Sequence, residues 1–112
     1  RANGCPWNAE TCTAAAEAGN LQVLQWARLN GCPWTSMTCS TAAQGGHLQV
    51  LQWARENGCA WDEWTCQAPC LRGDLACLKW ARENGAPWER ETCLSTSQRW
   101  GHPRVTDWIL RN

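Results

Sequence analysis

The sequence repeats a unit of 27 residues, and this period limits the possible folds more than any other feature of the chain. One tryptophan series recurs at this step, and a second keeps it until a final step of 28. The two series are Trp7, Trp34, Trp61 and Trp88, and Trp26, Trp53, Trp80 and Trp108. Such self-similarity indicates a repeat architecture, in which each unit buries its apolar face against its neighbours. The 112 residues correspond to four units.

Each unit is predicted to contain two short helices. Apolar residues at helical spacing mark the second helix, as in Leu21, Leu24 and Ala27. An alanine-rich first helix is predicted over roughly residues 9–18, ended by Gly19. Because helices of about ten residues do not hold alone in water, neighbouring units must bury them. The prediction is therefore an all-α fold, an α-solenoid of four stacked helix-turn-helix repeats without β-hairpin fingers, with the periodic tryptophans as the bulk of its core.

The whole chain, residues 1–112, is predicted to form a single domain. Its units are approximately 8–34, 35–61, 62–88 and 89–112. N-caps of the second helices are predicted at Asn20, His47, Asp74 and His102. Pro69 is expected to kink or break the first helix of the third unit. Three polar residues at core positions, Thr96, Ser97 and Thr106, predict a polar C-terminal cap.

Several segments resemble ankyrin repeats. The run Gly46-His47-Leu48-Gln49-Val50-Leu51 is similar to the ankyrin G-H-x-x-V-V/L segment, and Thr38-Cys39 stands where ankyrins have T-P. Asn57-Gly58-Cys59-Ala60-Trp61 resembles the G-A-D-V-N stretch. The unit is shorter than the usual ankyrin repeat of about 33 residues, and the missing residues fall at the β-hairpin finger. The amino-acid sequence of the unit also resembles short ankyrin-like repeats predicted in algae, oomycetes and large DNA viruses. This resemblance implies protein–protein recognition.

Charge and motifs exclude several function classes. Ten basic and ten acidic residues give a net charge of zero, which argues against a dedicated nucleic-acid or anionic-membrane binder. A ladder of Arg1, Arg28, Arg55 and Arg82 remains a minor alternative for acidic peptides or phosphates. The sequence carries no catalytic or nucleotide-binding fingerprint and no apolar run long enough to span a membrane. We therefore expect no enzyme, no cofactor, no small-molecule substrate and no metal site.

The four units can be compared with one another, and one face of the first helix varies among them. Its positions are spaced i, i+3, i+7 and therefore share a side of the helix. The predicted partner-binding residues are Met37, Ser40, Gln44, Trp64, Gln67, Leu71, Glu91, Leu94 and Gln98. Trp64 lies outside the periodic series and is the favoured anchor. The function predicted from this face is non-catalytic binding of a protein partner, and neutral drift of a solvated face is the competing interpretation.

A structural role is the second function considered. Arg1-Ala2-Asn3 begins in the middle of a repeat, as if another unit preceded it. The N-terminal face is therefore expected to lack a cap and to pack against another domain or copy. In this alternative the chain is a linker or peripheral subunit of a larger assembly.

The nine cysteines suggest a third class, a thiol-based redox or metal protein. Their C-x6-C spacing differs from the C-x2-C of zinc sites. An odd total argues against a complete disulfide framework and favours a reducing, intracellular and cytoplasmic location. Cys70 and Cys77 are expected to face each other across a hairpin, either as a disulfide or as packed thiols, and the second state is favoured.

Overall fold

A computed structural model describes residues 9–112, and this part of the chain is entirely helical. Its eight helices are α1 (Ala9–Ala18), α2 (Leu21–Leu29), α3 (Ser36–Gln44), α4 (Leu48–Glu56), α5 (Trp64–Arg72), α6 (Leu75–Glu83), α7 (Arg90–Arg99) and α8 (Pro103–Arg111). The all-α prediction is confirmed for these residues, which include no strand. Some predictions concern residues outside the described range, namely those for Arg1, Cys5, Trp7 and the N-terminal face.

The first helices of the units pack side by side in chain order. α1 contacts α3, α3 contacts α5, and α5 contacts α7, while each second helix packs on the first helix that precedes it. The resulting body is elongated, with extents of 50 × 23 × 20 Å. None of the described helices is both long and apolar enough to cross a membrane.

Small side chains form most of the core. Alanine and cysteine fill the first-helix positions, as at Cys12, Ala16, Cys39 and Ala43, all of which are fully buried. Leucines such as Leu51 complete the core from the second helices. Small residues leave little space between the first helices, so the backbones approach closely.

The tryptophans do not form the bulk of this core, and that prediction was wrong. Trp26 is 53% exposed, and the other described periodic tryptophans are half-buried. The rings of the half-buried tryptophans instead contact one another in pairs across neighbouring units, in edge-to-face or tilted arrangements. The ring centroids are 5.7 Å apart in Trp34–Trp53, 5.8 Å in Trp61–Trp80 and 6.2 Å in Trp88–Trp108. An indole is too large for the narrow space between the first helices, so it covers the core from the loops and second helices.

An arginine of each second helix stacks on the tryptophan of the following loop. The guanidinium carbon lies 4.2 Å from the ring centroid in Arg28–Trp34, 4.1 Å in Arg55–Trp61 and 4.6 Å in Arg82–Trp88. The same guanidinium groups donate to the loop carbonyls of Cys32, Cys59 and Ala86. These arginines lie in the last turn of their helices, where positive charge interacts favourably with the helix dipole. Their contacts with the loop and its tryptophan are additional and hold the connection between units.

Only two of the four predicted N-caps act through their side chains. Asn20 accepts from the Val23 N–H at 3.1 Å, and Asp74 accepts from the Cys77 N–H at 3.2 Å. His47 and His102 occupy the predicted N-cap positions, but their side chains make no capping hydrogen bond.

The two histidines reach into the preceding unit instead. His47 Nε2 lies 3.1 Å from the Glu17 carbonyl oxygen, and His102 Nε2 lies 2.9 Å from that of Leu71. Both carbonyls are in the last turn of a first helix, where carbonyls lack intrahelical partners. The imidazole is long enough to reach them, whereas Asn and Asp side chains turn back onto their own helix.

Glycines at the ends of the first helices make room for this contact. Gly19 has φ +71°, and a Cβ there would lie 2.5 Å from His47 Nδ1. Gly73, with φ +80°, stands in the same relation to His102, again at 2.5 Å. These positions need glycine for both the left-handed backbone and the close approach of the ring.

Pro69 does not break its helix, which contradicts one of the two predicted effects. α5 continues through it to Arg72, and the proline ring is buried at the position that Ala42 fills in the second unit. The helix loses one N–H donor at this position. Its end is well formed, since the amides of Gly73 and Asp74 both donate to the Pro69 carbonyl at 2.8 and 2.9 Å.

Polar side chains at the C-terminal end satisfy one another. Ser97 Oγ and Thr106 Oγ1 are 2.7 Å apart. Ser97 Oγ also lies 2.9 Å from the Leu94 carbonyl oxygen, and Thr106 Oγ1 lies 3.2 Å from that of His102. One hydroxyl donates to the other, and the second donates to its carbonyl. The polar character predicted for this end is therefore built from satisfied hydroxyl groups.

Candidate protein-binding face

The predicted binding residues lie on three neighbouring helices. Met37, Ser40 and Gln44 belong to α3, Trp64, Gln67 and Leu71 to α5, and Glu91, Leu94 and Gln98 to α7. We call these nine positions the variable face. Because α3, α5 and α7 pack in series, the three rows are adjacent. The first two rows meet at the indole Nε1 of Trp64, which lies 3.5 Å from Gln44 Oε1.

Of the nine residues of the variable face, four are exposed, four are half-buried and one is buried. Met37 is 59% exposed, and Gln44, Glu91 and Gln98 are also exposed. Ser40 is only 5% exposed, and its hydroxyl donates to the Met37 carbonyl at 3.3 Å. Its short side chain turns back onto its own helix. Ser40 is therefore a poor candidate for a direct contact.

The apolar anchors of the face are held in place by the core. Trp64 is half-buried and packs against the core residues of the first three units. Leu94 is half-buried and packs against the core of the last two units. Gln67 and Leu71 are also half-buried. Side chains that are already ordered lose little conformational freedom when a partner covers them.

Carboxylates lie at both ends of the apolar row. Glu17 is exposed at the end of α1, and Glu91 is exposed at the start of α7. Arg90 forms an ion pair with Glu91 at 3.6 Å. Its guanidinium also donates to the Ile109 carbonyl at 2.9 Å, which directs it toward α8. The polar residues between the two ends are neutral glutamines.

The described residues contain no cluster of three or more histidine, cysteine or acidic side chains that could hold a metal ion. Sequence reasoning did miss the recurrent arginine–tryptophan stacks and the contact between the Cys12 and Cys32 Sγ atoms at 3.1 Å. The cysteine contact had a visible signal, because Cys39 and Cys59 repeat the same separation of 20 residues in the next unit. No protein-family model matches the chain, and no curated protein matches it.

Proposed function

We propose that this chain is an ankyrin-like α-solenoid that binds a protein partner, without catalysis, through the variable face. The observation that carries the proposal is the contrast between two sets of first-helix positions. One buried position is cysteine in all four units, and the buried Ala15 and Ala16 recur as Ala42 and Ala43 in the second unit. The positions of the variable face change residue type among the units and include half-buried apolar side chains such as Trp64 and Leu94.

The joints between units support a stacked arrangement of four repeats. Equivalent glycines end three successive first helices, and each is covered by a side chain of the following unit. The covering residues are His47 over Gly19, Arg72 over Gly46 and His102 over Gly73. A scaffold of this kind presents a preformed surface, which keeps the ordering cost of binding low. The location proposed for it is the reducing cytoplasm.

In this proposal Trp64 and Leu71 anchor the partner, and Met37 and Leu94 extend the apolar contact. Tryptophan is enriched in binding hot spots, which cluster near the middle of an interface. Exposed glutamines such as Gln44 supply adaptable hydrogen bonds around them. Glu17 and Glu91 favour a partner with positive charge near the ends of the contact.

The test is quantitative affinity capture from a native extract with wild-type protein and three variants. Trp64→Ala/Leu71→Ala removes two anchors, and Met37→Glu adds charge at an exposed site that needs no repacking. Lys79→Ala on α6, which is exposed and outside the variable face, is the matched control. Circular dichroism verifies that each variant is folded.

We expect one set of proteins to be captured by wild type and the Lys79 variant, and lost with both face variants. The same proteins captured by all four folded chains would overturn the proposed site. Loss with the double variant alone would indicate a repacked core, since Met37→Glu should also weaken the contact.

The structural alternative has its own observation, at the other end of the molecule. Leu29 on α2 is 85% exposed, whereas Glu56 and Glu83 occupy the equivalent positions. Val23 is 40% exposed, whereas its counterpart Val50 is 2% exposed. If the chain packs into an assembly through this end, Leu29→Glu should dissociate it. Light scattering over a concentration series measures that change directly, and an unchanged mass would remove the support that Leu29 gives to this alternative.

A further inference from the structure

The three described connections between units begin with the same Asn-Gly turn, a feature independent of the variable face. The turns are Asn30-Gly31, Asn57-Gly58 and Asn84-Gly85. All six residues are exposed, so water reaches them. An asparagine followed by glycine is prone to lose its side-chain amide, because no Cβ hinders attack by the glycine nitrogen. These turns are therefore chemically vulnerable unless the fold protects them.

Backbone hydrogen bonds hold the glycine nitrogen of each turn. Gly58, in the left-handed conformation with φ +87°, donates its N–H to the Arg55 carbonyl at 3.1 Å. The next amide, that of Cys59, donates to the Ala54 carbonyl at 3.0 Å, which completes the Schellman arrangement of a helix C-terminus. The equivalent glycine bonds of the other two turns are also 3.1 Å long. The nitrogen that would have to attack the asparagine is thus bonded to its own helix.

The asparagine side chain is held away from this nitrogen. Asn57 Nδ2 donates to the Trp53 carbonyl at 2.9 Å, and Asn30 and Asn84 make the equivalent bonds at 2.8 and 2.9 Å. The ψ angles of the three asparagines lie between 14° and 18°. At such a ψ the following nitrogen is turned away from Cβ about the Cα–C bond, whereas a five-membered ring needs the two nearly eclipsed. Ring closure therefore requires the turn to open.

We propose that the three Asn-Gly turns are deamidation sites that the fold protects, so that each asparagine reacts only when its own turn opens. The equivalent geometry of the three turns carries this inference. The reactants are the chain itself and water.

The chemistry balances with water as the only other reactant. In an open turn, the Gly58 nitrogen gives up its proton to solvent and attacks Asn57 Cγ, so a new C–N bond forms. The bond between Cγ and Nδ2 breaks, and the departing group takes a proton from solvent and leaves as ammonia. Water then adds to either carbonyl of the cyclic imide and breaks one ring C–N bond. The products are aspartate and isoaspartate, and nothing is oxidised or reduced.

Both products fit the closed turn poorly. A carboxylate at position 57 has no proton to donate to the Trp53 carbonyl. It also places negative charge at the C-terminal end of α4, where the helix dipole is unfavourable to it. Isoaspartate lengthens the main chain by one carbon, which displaces the groups of the Schellman arrangement. Deamidation thus loosens the turn at which it occurs and leaves a permanent mark of its opening.

The stacked arginine of each second helix controls the opening of one turn. Arg55 donates to the Cys59 carbonyl, so its guanidinium bridges the two sides of the Asn57-Gly58 turn. Arg82 makes the equivalent bond across the next turn. Because local openings involve only neighbouring contacts, removal of one guanidinium should release one turn and leave the others closed.

The test follows deamidation of the full chain in native buffer and in urea, with reductant present, at physiological temperature and mildly alkaline pH. Samples are digested at acidic pH, which slows further reaction. Mass spectrometry gives the converted fraction at each asparagine, and electron-transfer fragmentation separates aspartate from isoaspartate. Arg55→Met and Arg82→Met are reciprocal variants, so each is the matched control for the other. Circular dichroism verifies that both are folded.

We expect deamidation at all three sites to be at least about tenfold slower in native buffer than in urea, since several hydrogen bonds must open first. Arg55→Met should accelerate the reaction at Asn57 about fivefold or more and leave Asn84 nearly unchanged, and Arg82→Met should do the reverse. Both products should form, with isoaspartate present at each site.

Equal rates in native buffer and in urea would overturn the proposed protection, and so would amides that survive in urea. Equal acceleration at all three sites by either folded variant would overturn the control of each turn by its own arginine. Aspartate without isoaspartate would exclude the cyclic imide.

Discussion

At the scale of single residues, the arginine–tryptophan stack is the contact that most clearly stabilises the connection between units. Arg55→Met keeps the aliphatic stem but loses the cation above Trp61 and the donor to the Cys59 carbonyl. We expect a loss of about 1–2 kcal/mol in the free energy of unfolding. Urea denaturation measures it, with Glu56→Ala as an exposed control that should change stability by less than about 0.5 kcal/mol. Equal effects of the two substitutions would show that the stack contributes nothing.

Equivalent threonines give a second test at this scale. Thr38 Oγ1 accepts from the Thr35 N–H at 3.4 Å, whereas the buried Thr65 Oγ1 has no hydrogen-bond partner. Thr38→Val should therefore cost about 0.5–1.5 kcal/mol of unfolding free energy, while Thr65→Val should be neutral or stabilising. Thermal unfolding of the two variants compares them, and a larger loss from Thr65→Val would contradict this account.

Residue roles could be predicted only where the side chain acts locally. Asn20 and Asp74 cap their own helices, as their positions indicate. His47 occupies the same position, yet its partner lies in another unit, 30 residues away in sequence. Repeat comparison identifies equivalent positions, but it does not show which neighbour a longer side chain reaches.

At the scale of helices and their ends, the joint between Gly19 and His47 can be measured. Gly31 also has a positive φ, +84°, but a Cβ there would meet no atom within 4 Å. Gly31→Ala should therefore cost only the backbone strain, about 1–2 kcal/mol. Gly19→Ala should cost about 1–3 kcal/mol more, because the methyl group collides with the imidazole. Combining it with His47→Ala should remove that excess, and equal costs for the two glycines would contradict the proposed contact.

The helices themselves were largely predictable. The first helix was placed at roughly residues 9–18 and occupies Ala9–Ala18. Pro69 misled the prediction, because propensity rules describe a helix in isolation, whereas α5 is packed on both α3 and α7. The prediction for the tryptophans failed for the same reason. Their size favoured burial, but the close packing of alanine and cysteine between the first helices leaves them at the edge of the core.

At the scale of the whole molecule, the contact between the Sγ atoms of Cys12 and Cys32, which are 3.1 Å apart, predicts a stability that depends on oxidation. A disulfide between them would close a loop of about 20 residues and stabilise the protein by about 3 kcal/mol in the chain-entropy model, because it restricts the unfolded chain. The oxidised protein should therefore unfold at higher guanidinium concentration, and reductant should reverse the shift. Guanidinium titrations before and after peroxide treatment measure this. An oxidised protein that carries this disulfide but is no more stable would contradict the fit of the link to the fold.

The sequence alone predicted the all-helical composition and the pairing of helices within units, because both follow from a period repeated four times. It could not predict how deeply each side chain of the variable face is buried. Ser40 and Met37 belong to the same i, i+3, i+7 pattern, yet Ser40 is buried and Met37 is exposed. That difference depends on how closely α3 approaches its neighbours, which no single unit encodes.

The most direct test of the central claim is the affinity of a purified, captured partner for two variants at opposite surfaces. Isothermal titration compares wild type with Met37→Glu on the variable face and Leu29→Glu on α2. If the variable face is the binding site, Met37→Glu weakens binding about tenfold or more, equivalent to about 1.4 kcal/mol, and Leu29→Glu leaves it unchanged. The reverse result, with full affinity in Met37→Glu and loss in Leu29→Glu, would move the interface to the N-terminal end and contradict the account.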